Sequence, residues 1–167
     1  MDLVKIHDLE NRLGHKFKDK NLLIQALTHP TFAEREKKKK VGARDCPHQE
    51  TFCTFGDAVL KTGLILLLME KGLDRKGTIT ITKADIENNL KLANVGKRLK
   101  LLENDLILHP IKDKKKLQEG ANTYCSDTVE ALIAAIFIDS RYSLKKTKKS
   151  IEKIFRPELT ELEKKIT

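Results

Sequence analysis

The chain has 167 residues, 34% of them charged and 40% hydrophobic, and its 33 Lys and Arg against 24 Asp and Glu give a formal net charge of +9. This length favours one domain, and the hydrophobic fraction is too high for a disordered polyelectrolyte. Apolar runs such as Leu64 to Met69 are far shorter than the ~20 residues that span a bilayer, and the charged N-terminus is not typical of a signal peptide. Three cysteines without metal-finger spacing predict free thiols and a cytoplasmic location. We therefore expect no membrane, secreted or disulfide-stabilised protein, and the basic charge favours a polyanionic partner.

Apolar residues at helical spacing predict the first elements. A stripe from Leu3 to Leu13 indicates a helix, and Gly14 stands where a C-cap glycine is expected. A second helix is predicted from Asp19 or Lys20 to Leu27, with Pro30 as its stop. Residues 34–49 combine a lysine block with glycine and proline, which predicts a loop.

The remaining segments also favour helices. A long, largely buried helix is predicted from Gln49 to Lys71. Residues 78–82 alternate like a strand, but the apolar residues that follow fall at helical spacing, so we place an N-cap region at Thr80. Residues 109–121 predict a second basic loop, and Ser126 is the expected N-cap of another helix.

A terminal amphipathic helix runs through Phe155 and is followed by Pro157 and charged residues. The chain shows no internal repeat and no convincing sheet. The sequence therefore predicts an all-α fold, with one domain over residues 1–157 and a polar tail over residues 158–167.

Four acids stand among apolar residues in two of these predicted helices. Glu50 and Asp57 share one face of the first, and Asp127 and Glu130 lie near the start of the second. The small residues after Glu130 would let two helix backbones approach closely and bring the acids together. Carboxylates that share a buried site repel one another, and a divalent cation such as Mg²⁺ or Mn²⁺ would neutralise them. The alternative is that these acids are ordinary solvent-facing residues of amphipathic helices, because the helix dipole alone favours acids near a helix N-terminus.

Three segments carry a resemblance to a known family. They read LLIQALTHPTF over residues 22–32, ETFCTFGDAVL over residues 50–60 and DTVEALIAAIFID over residues 127–139. In this order and spacing they resemble ribonuclease III domains, whose signature is usually written ERLEFLGDAVL. The resemblance implies a helical endonuclease domain that dimerises and cleaves double-stranded RNA with Mg²⁺. A separate double-stranded-RNA-binding domain is not expected after Pro157.

The resemblance also assigns roles to individual residues. Asp57, Asp127 and Glu130 fall on the family's metal-site acids, with Asp57 and Glu130 as the catalytic pair, and Glu50 supports them. Cys53 stands where the family has a second signature Glu, a metal ligand. A thiol is soft and protonated near neutral pH, so it is a poor substitute towards Mg²⁺.

Two further departures concern neighbouring positions. Thr54 replaces an aromatic residue that inserts into the partner subunit, and Lys76 replaces an acid before Gly77. Two functions therefore remain open: a metal-dependent endoribonuclease, supported by the three remaining acids, or a catalytically inactive protein of this fold that binds duplex RNA or serves as a scaffold.

Lysine blocks are the candidate RNA contacts, because basic loops can bind the phosphates of a duplex. The residues concerned are Lys37, Lys38, Lys39, Lys40, Lys114, Lys115 and Lys116. The alternative is a solvated lysine surface. The signature helix also predicts a homodimer, because it carries more apolar residues than one packed face needs: Phe52, Phe55, Leu60 and Leu64.

The other reactive side chains are assigned structural roles. His29 is expected to order a helix end, and Cys125 is expected to fill the core. A zinc site built from Cys46, Cys53 and His48 is an alternative, but no fourth ligand with suitable spacing is present in the sequence.

Overall fold

The computed structural model describes residues 2–39 and 46–166, and these ranges contain ten α-helices. The helices are α1 (Leu3–Leu13), α2 (Lys20–Ala26), α3 (Pro30–Lys39), α4 (Glu50–Glu70), α5 (Lys76–Ile86), α6 (Asn89–Arg98), α7 (Lys114–Glu119), α8 (Ala121–Asp139), α9 (Leu144–Ile154) and α10 (Arg156–Ile166). Over the described ranges there is no β-strand, and the extended pairing is one isolated bridge between Thr28 and Leu108. The predicted all-α fold is confirmed.

Helix α8 forms the centre of the domain. The six residues from Ala131 to Ile136 are each 0% exposed, which means that this stretch is covered on every side. Helices α4 and α6 pack closely along α8, while α2 and α9 complete its surroundings. Small side chains permit the close packing: a Cβ added to Gly56 of α4 would lie 1.8 Å from the carbonyl oxygen of Glu130 on α8. The backbones of α4 and α8 therefore touch at one crossing point.

Helix α4 is the one helix in the described part of the chain that is long and apolar enough to cross a membrane by length and composition. Its leucines Leu60, Leu64 and Leu68 are each 0% exposed and belong to the hydrophobic core. The apolar composition of α4 is thus accounted for by packing inside the domain, and a core helix passes the same length test as a membrane span.

A buried carboxylate joins the end of α8 to the segment between α1 and α2. Asp139 accepts hydrogen bonds from the backbone N–H groups of Lys18 and Asp19, and its Oδ2 lies 2.8 Å from His15 Nε2. Burial alone would raise the pKa of Asp139, but these hydrogen bonds lower it overall. The contact fixes the position of the first two helices on α8.

The first two helices are confirmed with their caps, but the predicted loop over residues 34–49 is partly wrong. Gly14 adopts a φ of 67° and closes α1, and the side chain of Asp19 accepts from the N–H of Asn21 to begin α2. Helix α2 ends at Ala26, and Pro30, which was predicted as its stop, is the first residue of α3, where proline is tolerated. Helix α3 continues to Lys39, and residues 40–45 lie outside the described part.

Two predicted helix starts are wrong. Helix α5 begins at Lys76, and Thr80 lies inside it and donates its hydroxyl to the carbonyl of Lys76. Only Ile86 of this helix is buried, so its sequence lacks the apolar period of a packed helix. Helix α8 begins at Ala121, and Ser126 lies one turn inside, where its hydroxyl donates to the carbonyl of Thr123. The predicted loop over residues 109–121 contains α7, which is capped by Asp113.

The predicted polar tail is also wrong, because residues 156–166 form α10. Leu159 is 3% exposed and belongs to the core. Glu158 is 8% exposed and forms a 2.9 Å ion pair with Arg98 of α6. The packed domain therefore continues beyond the predicted boundary at residue 157.

Candidate active site

Three of the predicted acids meet where α4 crosses α8. Asp57 follows Gly56, the glycine that touches the backbone of Glu130, and Asp127 lies one turn before Glu130 on α8. Burial raises the pKa of Glu130 to about 7, together with the negative charges of Asp57 and Asp127. The charges of these three acids therefore interact, and the predicted convergence of the four acids at one metal site stays a prediction.

A lysine balances part of this negative charge. Lys61 lies one turn after Asp57 on α4, and its Nζ is 2.7 Å from Asp57 Oδ2. This hydrogen bond is the main reason that the pKa of Lys61 is raised, and the charge of Lys61 in turn partly offsets the rise in the pKa of Glu130. The side chain of Asp57 is 38% exposed, so the pair lies at the edge of the site and faces solvent.

Cys53 lies beside the acids but acts as a neutral hydrogen-bond donor. Its Sγ donates to the carbonyl oxygen of Asp127 at 3.2 Å. Burial raises the pKa of Cys53 to about 12, with further increases from the charges of Asp127 and Glu130. The thiol is therefore protonated at neutral pH, and it joins α4 to α8 without offering an oxygen to the site.

Glu50 does not join the half-buried cluster, although the sequence placed it there. It is the first residue of α4, and its side chain is 74% exposed. Its carboxylate lies 3.9 Å from His48 Nδ1, and its charge makes a small contribution to the raised pKa of Cys53 after those of Asp127 and Glu130. Glu50 therefore lies at the solvent edge of the site.

Sequence reasoning missed one acid of this region, Glu87. It follows the buried Ile86 at the end of α5, and its Oε1 accepts a 2.6 Å hydrogen bond from Lys83. Its charge contributes to the raised pKa of Glu130, after burial, Asp57 and Asp127. The sequence signal was weak, because Glu87 lies in a mostly exposed helix with no second acid at a ligand spacing.

The donor chemistry of the cluster fits a hard divalent cation. Asp57, Asp127 and Glu130 offer only oxygen atoms, and a bound cation would relieve the repulsion that raises the pKa of Glu130. In the ranges that the structure describes, no three His, Cys, Asp or Glu side chains are grouped closely enough to hold a metal ion. Lys61 already occupies one side of Asp57, so the assignment of these acids as ligands stays a prediction.

Comparison with known proteins identifies the family. A family model described as ribonuclease-III-like matches residues 19–159. The chain belongs to this family. It is 32% identical over 146 residues to Ribonuclease 3 of Bordetella pertussis, and the match covers 85% of this chain and 50% of that protein. It is 31% identical over 157 residues to Ribonuclease 3 of Aquifex aeolicus, which covers 92% of this chain and 62% of that protein. The chain thus spans about half to three fifths of these relatives.

A solved structure agrees with this assignment. The nuclease domain of ribonuclease III from Campylobacter jejuni, studied for flexibility in the region involved in dimer formation, superposes with a TM-score of 0.71 at 31% identity. The match covers 90% of this chain and 99% of that one. The similarity therefore extends over the whole nuclease domain of that ribonuclease III.

Other predicted positions take the structural roles assigned to them. The ring of His29 accepts from the backbone N–H of Thr31 and so orders the start of α3. Cys125 is 0% exposed and fills the core. The zinc alternative gains no support, because the thiol of Cys53 contacts a carbonyl oxygen and the described residues contain no metal-binding group of three.

The predicted RNA contacts lie on two neighbouring basic segments. Lys38 and Lys39 are exposed in the last turn of α3, and Lys115 and Lys116 are exposed in α7. Lys40 lies outside the described residues. The two segments leave the same part of the domain, because Arg35 of α3 donates to the carbonyl of Pro110, which precedes α7. Their role towards RNA stays a prediction.

Proposed function

We propose that the protein is a metal-dependent endoribonuclease that cleaves double-stranded RNA, with Mg²⁺ or Mn²⁺ held by Asp57, Asp127 and Glu130. Asp57 and Glu130 are its catalytic residues. The supporting observation is the electrostatics of Glu130: burial, together with the charges of Asp57 and Asp127, raises its pKa to about 7. Such repulsion is unfavourable for the protein alone, and a bound cation relieves it.

The residues of the chain divide the chemistry between them. A divalent cation, when bound, supplies activation of water and stabilisation of the leaving oxygen of the phosphodiester. Lys61 holds the carboxylate of Asp57 in place through a 2.7 Å hydrogen bond. The Cys53 thiol fixes the backbone of Asp127 against α4, so the acids of the two helices keep a constant separation.

Binding of duplex RNA is assigned to the exposed lysines of α3 and α7. Because each neutralised phosphate releases counterions, we expect the logarithm of the affinity for duplex RNA to fall with the logarithm of salt concentration with a slope of several units. A filter-binding series measures this slope, and a variant with Lys115 and Lys116 changed to Gln should reduce it by about one to two units. Salt-independent binding would remove these lysines from the proposal.

A homodimer through α4 completes the proposed assembly. Phe52, Leu60 and Leu64, which the sequence offered as dimer surface, are buried in the core of the chain itself. The exposed side chains of α4 form a different stripe, at positions Thr51, Thr54, Phe55, Ala58 and Thr62. Phe55 is 39% exposed and gives this stripe its largest apolar surface. The dimer-forming region of the similar Campylobacter nuclease domain supports the same assembly.

A nuclease assay on duplex RNA tests the proposal directly. The wild-type protein should cleave in Mg²⁺ and in Mn²⁺, and Asp57→Ala should reduce cleavage to background. Asp85→Asn is the matched control, because it removes one exposed carboxylate of α5 that makes no side-chain hydrogen bond in the described structure. Background cleavage by the wild-type protein in both metals would overturn the proposed activity.

A second candidate function is an inactive scaffold of the ribonuclease III fold. It is favoured by Cys53, a neutral thiol at a ligand position, and by Lys76, which lies exposed at the start of α5. Cys53→Glu separates the two functions, with Cys53→Ser as the control for size. An impaired enzyme should gain about 10- to 100-fold in Mg²⁺-dependent cleavage from the restored oxygen, and less in Mn²⁺, which tolerates sulfur better. Equal background cleavage by all three proteins, with duplex binding intact, supports the scaffold.

A further inference from the structure

A basic groove opens where the start of α10 meets α1 and the end of α6. It encloses about 530 Å³, and its apolar part is formed by Leu99, Ile154 and Pro157. Cationic side chains line the rest of it together with the carboxylate of Glu161, and the cations are Arg12, Arg98, Lys153, Arg156 and Lys164. These residues come from α1, the end of α6, α9 and α10, so the basic groove is separate from the acids of α4 and α8.

Two of these cations are already used inside the fold. Arg98 donates to both oxygens of Glu158, each at 2.9 Å, and Arg12 Nη2 lies 2.9 Å from Asp8 Oδ2. A further hydrogen bond of 2.9 Å joins Arg12 Nη1 to the carbonyl oxygen of Arg98. These contacts fix α1, α6 and α10 relative to one another. Arg12 and Arg98 therefore shape the walls of the basic groove, and its other cations are left to bind a ligand.

Three cations remain for an external anion. Lys153 Nζ donates to the carbonyl oxygen of Asn11 at 2.6 Å, which positions the ammonium group without neutralising it and leaves two of its three donors. Arg156 and Lys164 are exposed, and no hydrogen bond or ion pair links their side chains to another residue that the structure describes. Both lie on one face of α10, with Thr160 between them at intervals of one turn.

The charges around the basic groove leave a surplus of two positive charges, because three carboxylates, those of Asp8, Glu158 and Glu161, offset three of its five cations. A phosphate monoester carries about −1.5 to −2 charges at neutral pH, since its second pKa is about 6. The surplus therefore matches one phosphate monoester. The guanidinium group of Arg156 adds a planar pair of donors of the kind that binds phosphate oxygens bidentately.

We propose that the basic groove binds the phosphate monoester of a nucleotide, with Lys153, Arg156 and Lys164 around the phosphate. The apolar part of the groove takes the nucleoside, and the enclosed volume lies within the ~300–1,000 Å³ of small-molecule sites. A free nucleotide and the phosphorylated end of an RNA share this chemistry. Hydrolysis of an RNA phosphodiester leaves such a group at one new end, so a member of a ribonuclease family meets it directly. Binding at this site does not depend on the proposed cleavage.

Calorimetric titration of the metal-free chain with uridine 5′-monophosphate tests the site. At low salt the wild type should bind this nucleotide, bind inorganic phosphate more weakly and not bind uridine. Combining Arg156→Gln with Lys164→Gln should weaken nucleotide binding at least about tenfold, because two charged donors are lost. The matched control combines Lys115→Gln with Lys116→Gln, which removes the same charge from α7, outside the basic groove, and should leave nucleotide binding unchanged.

A second titration distinguishes the two sources of the phosphate. In EDTA, duplex RNA with 5′-phosphate ends should bind more tightly than the same duplex with 5′-hydroxyl ends if the RNA end is the ligand. This difference should disappear when Arg156→Gln and Lys164→Gln are combined. Equal binding of the two duplexes, with binding of uridine 5′-monophosphate retained, assigns the site to a free nucleotide.

Thermal unfolding without ligand should be unchanged by Arg156→Gln and Lys164→Gln, because both side chains are exposed. A wild-type chain that does not bind uridine 5′-monophosphate, or an equal affinity in the groove variant, would overturn the site and leave the proposed nuclease standing. An equal loss in the α7 control would show general charge attraction and would also overturn it. Nucleotide binding in a chain that does not cleave duplex RNA would support the site and overturn the proposed nuclease instead.

Discussion

Gly56→Ala should separate the two central helices at the acidic site. A Cβ at this position would meet the carbonyl oxygen of Glu130 at 1.8 Å and its carbonyl carbon at 2.6 Å. Both atoms belong to the backbone of α8, so no rotamer change relieves the overlap. Helix α4 must shift away from α8, and the 3.2 Å hydrogen bond from Cys53 to Asp127 lies directly beside the clash.

The magnitude follows from two opposing effects. Overpacking of a close contact costs about 1–3 kcal/mol, and a clash with backbone belongs at the upper end. Replacing glycine by alanine inside a helix returns up to about 1 kcal/mol. We expect a net loss of about 2 kcal/mol in the free energy of unfolding, which lowers Tm by about 4–8 °C in a domain of this size.

The matched control is Gly77→Ala, which makes the same chemical change in another helix. Gly77 lies in the first turn of α5, and an added Cβ would have no neighbour within 4 Å. This variant should be stabilised by up to about 1 kcal/mol. Thermal and urea unfolding followed by circular dichroism measure both changes. A Gly56→Ala protein as stable as Gly77→Ala would refute the close crossing of α4 and α8, and unaltered Mn²⁺ binding by Gly56→Ala would refute its importance for the site.

Three other substitutions test separate parts of the structure. Because the pKa of Glu130 is raised from 4.5 to about 7 in the folded state, the metal-free wild type should lose stability as the pH rises through this window. Glu130→Gln should not lose this stability. Urea unfolding should show the variant to be more stable than the wild type by about 1–2 kcal/mol at pH 8 and equally stable at pH 5. Asp139 has a lowered pKa despite its burial, so its contribution is present above its ordinary pKa of 3.8 and is lost at lower pH. Asp139→Asn should therefore cost about 1–3 kcal/mol at pH 7, and this cost should shrink as the pH falls below the lowered pKa of Asp139; a cost that does not change on acidification would contradict the hydrogen-bonded carboxylate. Thr54→Phe adds an aromatic to the exposed stripe of α4 and should tighten self-association in sedimentation; no change would place the dimer contact elsewhere.

The sequence predicted helices correctly where capping residues and an apolar period mark them. The cap of Asp19 and the left-handed Gly14 act within a few residues of the chain, so the sequence alone reveals them. Helix α5 was misjudged because only Ile86 is buried, and an exposed helix shows no apolar period. Helix α10 was taken for a tail because its contacts with the core, such as Leu159, are few and lie among charged residues.

In the acidic site, too, some side chains carry a signal in the sequence and others are placed only by packing. Spacing and apolar neighbours pointed to four acids, and the family resemblance then assigned the metal site to Asp57, Asp127 and Glu130. Glu50 shares that spacing but lies at the end of α4, where solvent covers it. Glu87 has no spacing signal, and only the packing of α5 on α4 places its charge beside Glu130.

The sequence by itself determined the helical class, the caps at Gly14 and Asp19, the basic composition and the three motifs that carry the family resemblance, because each depends on residues close together in the chain or on composition alone. The tertiary structure decided which acids share one site, the protonated state of Cys53 and the burial of Phe52, Leu60 and Leu64. These properties depend on which helix covers a given face. A pKa or an exposed fraction is set by neighbours that are distant in sequence, and the close crossing of α4 and α8 at Gly56 creates those neighbours.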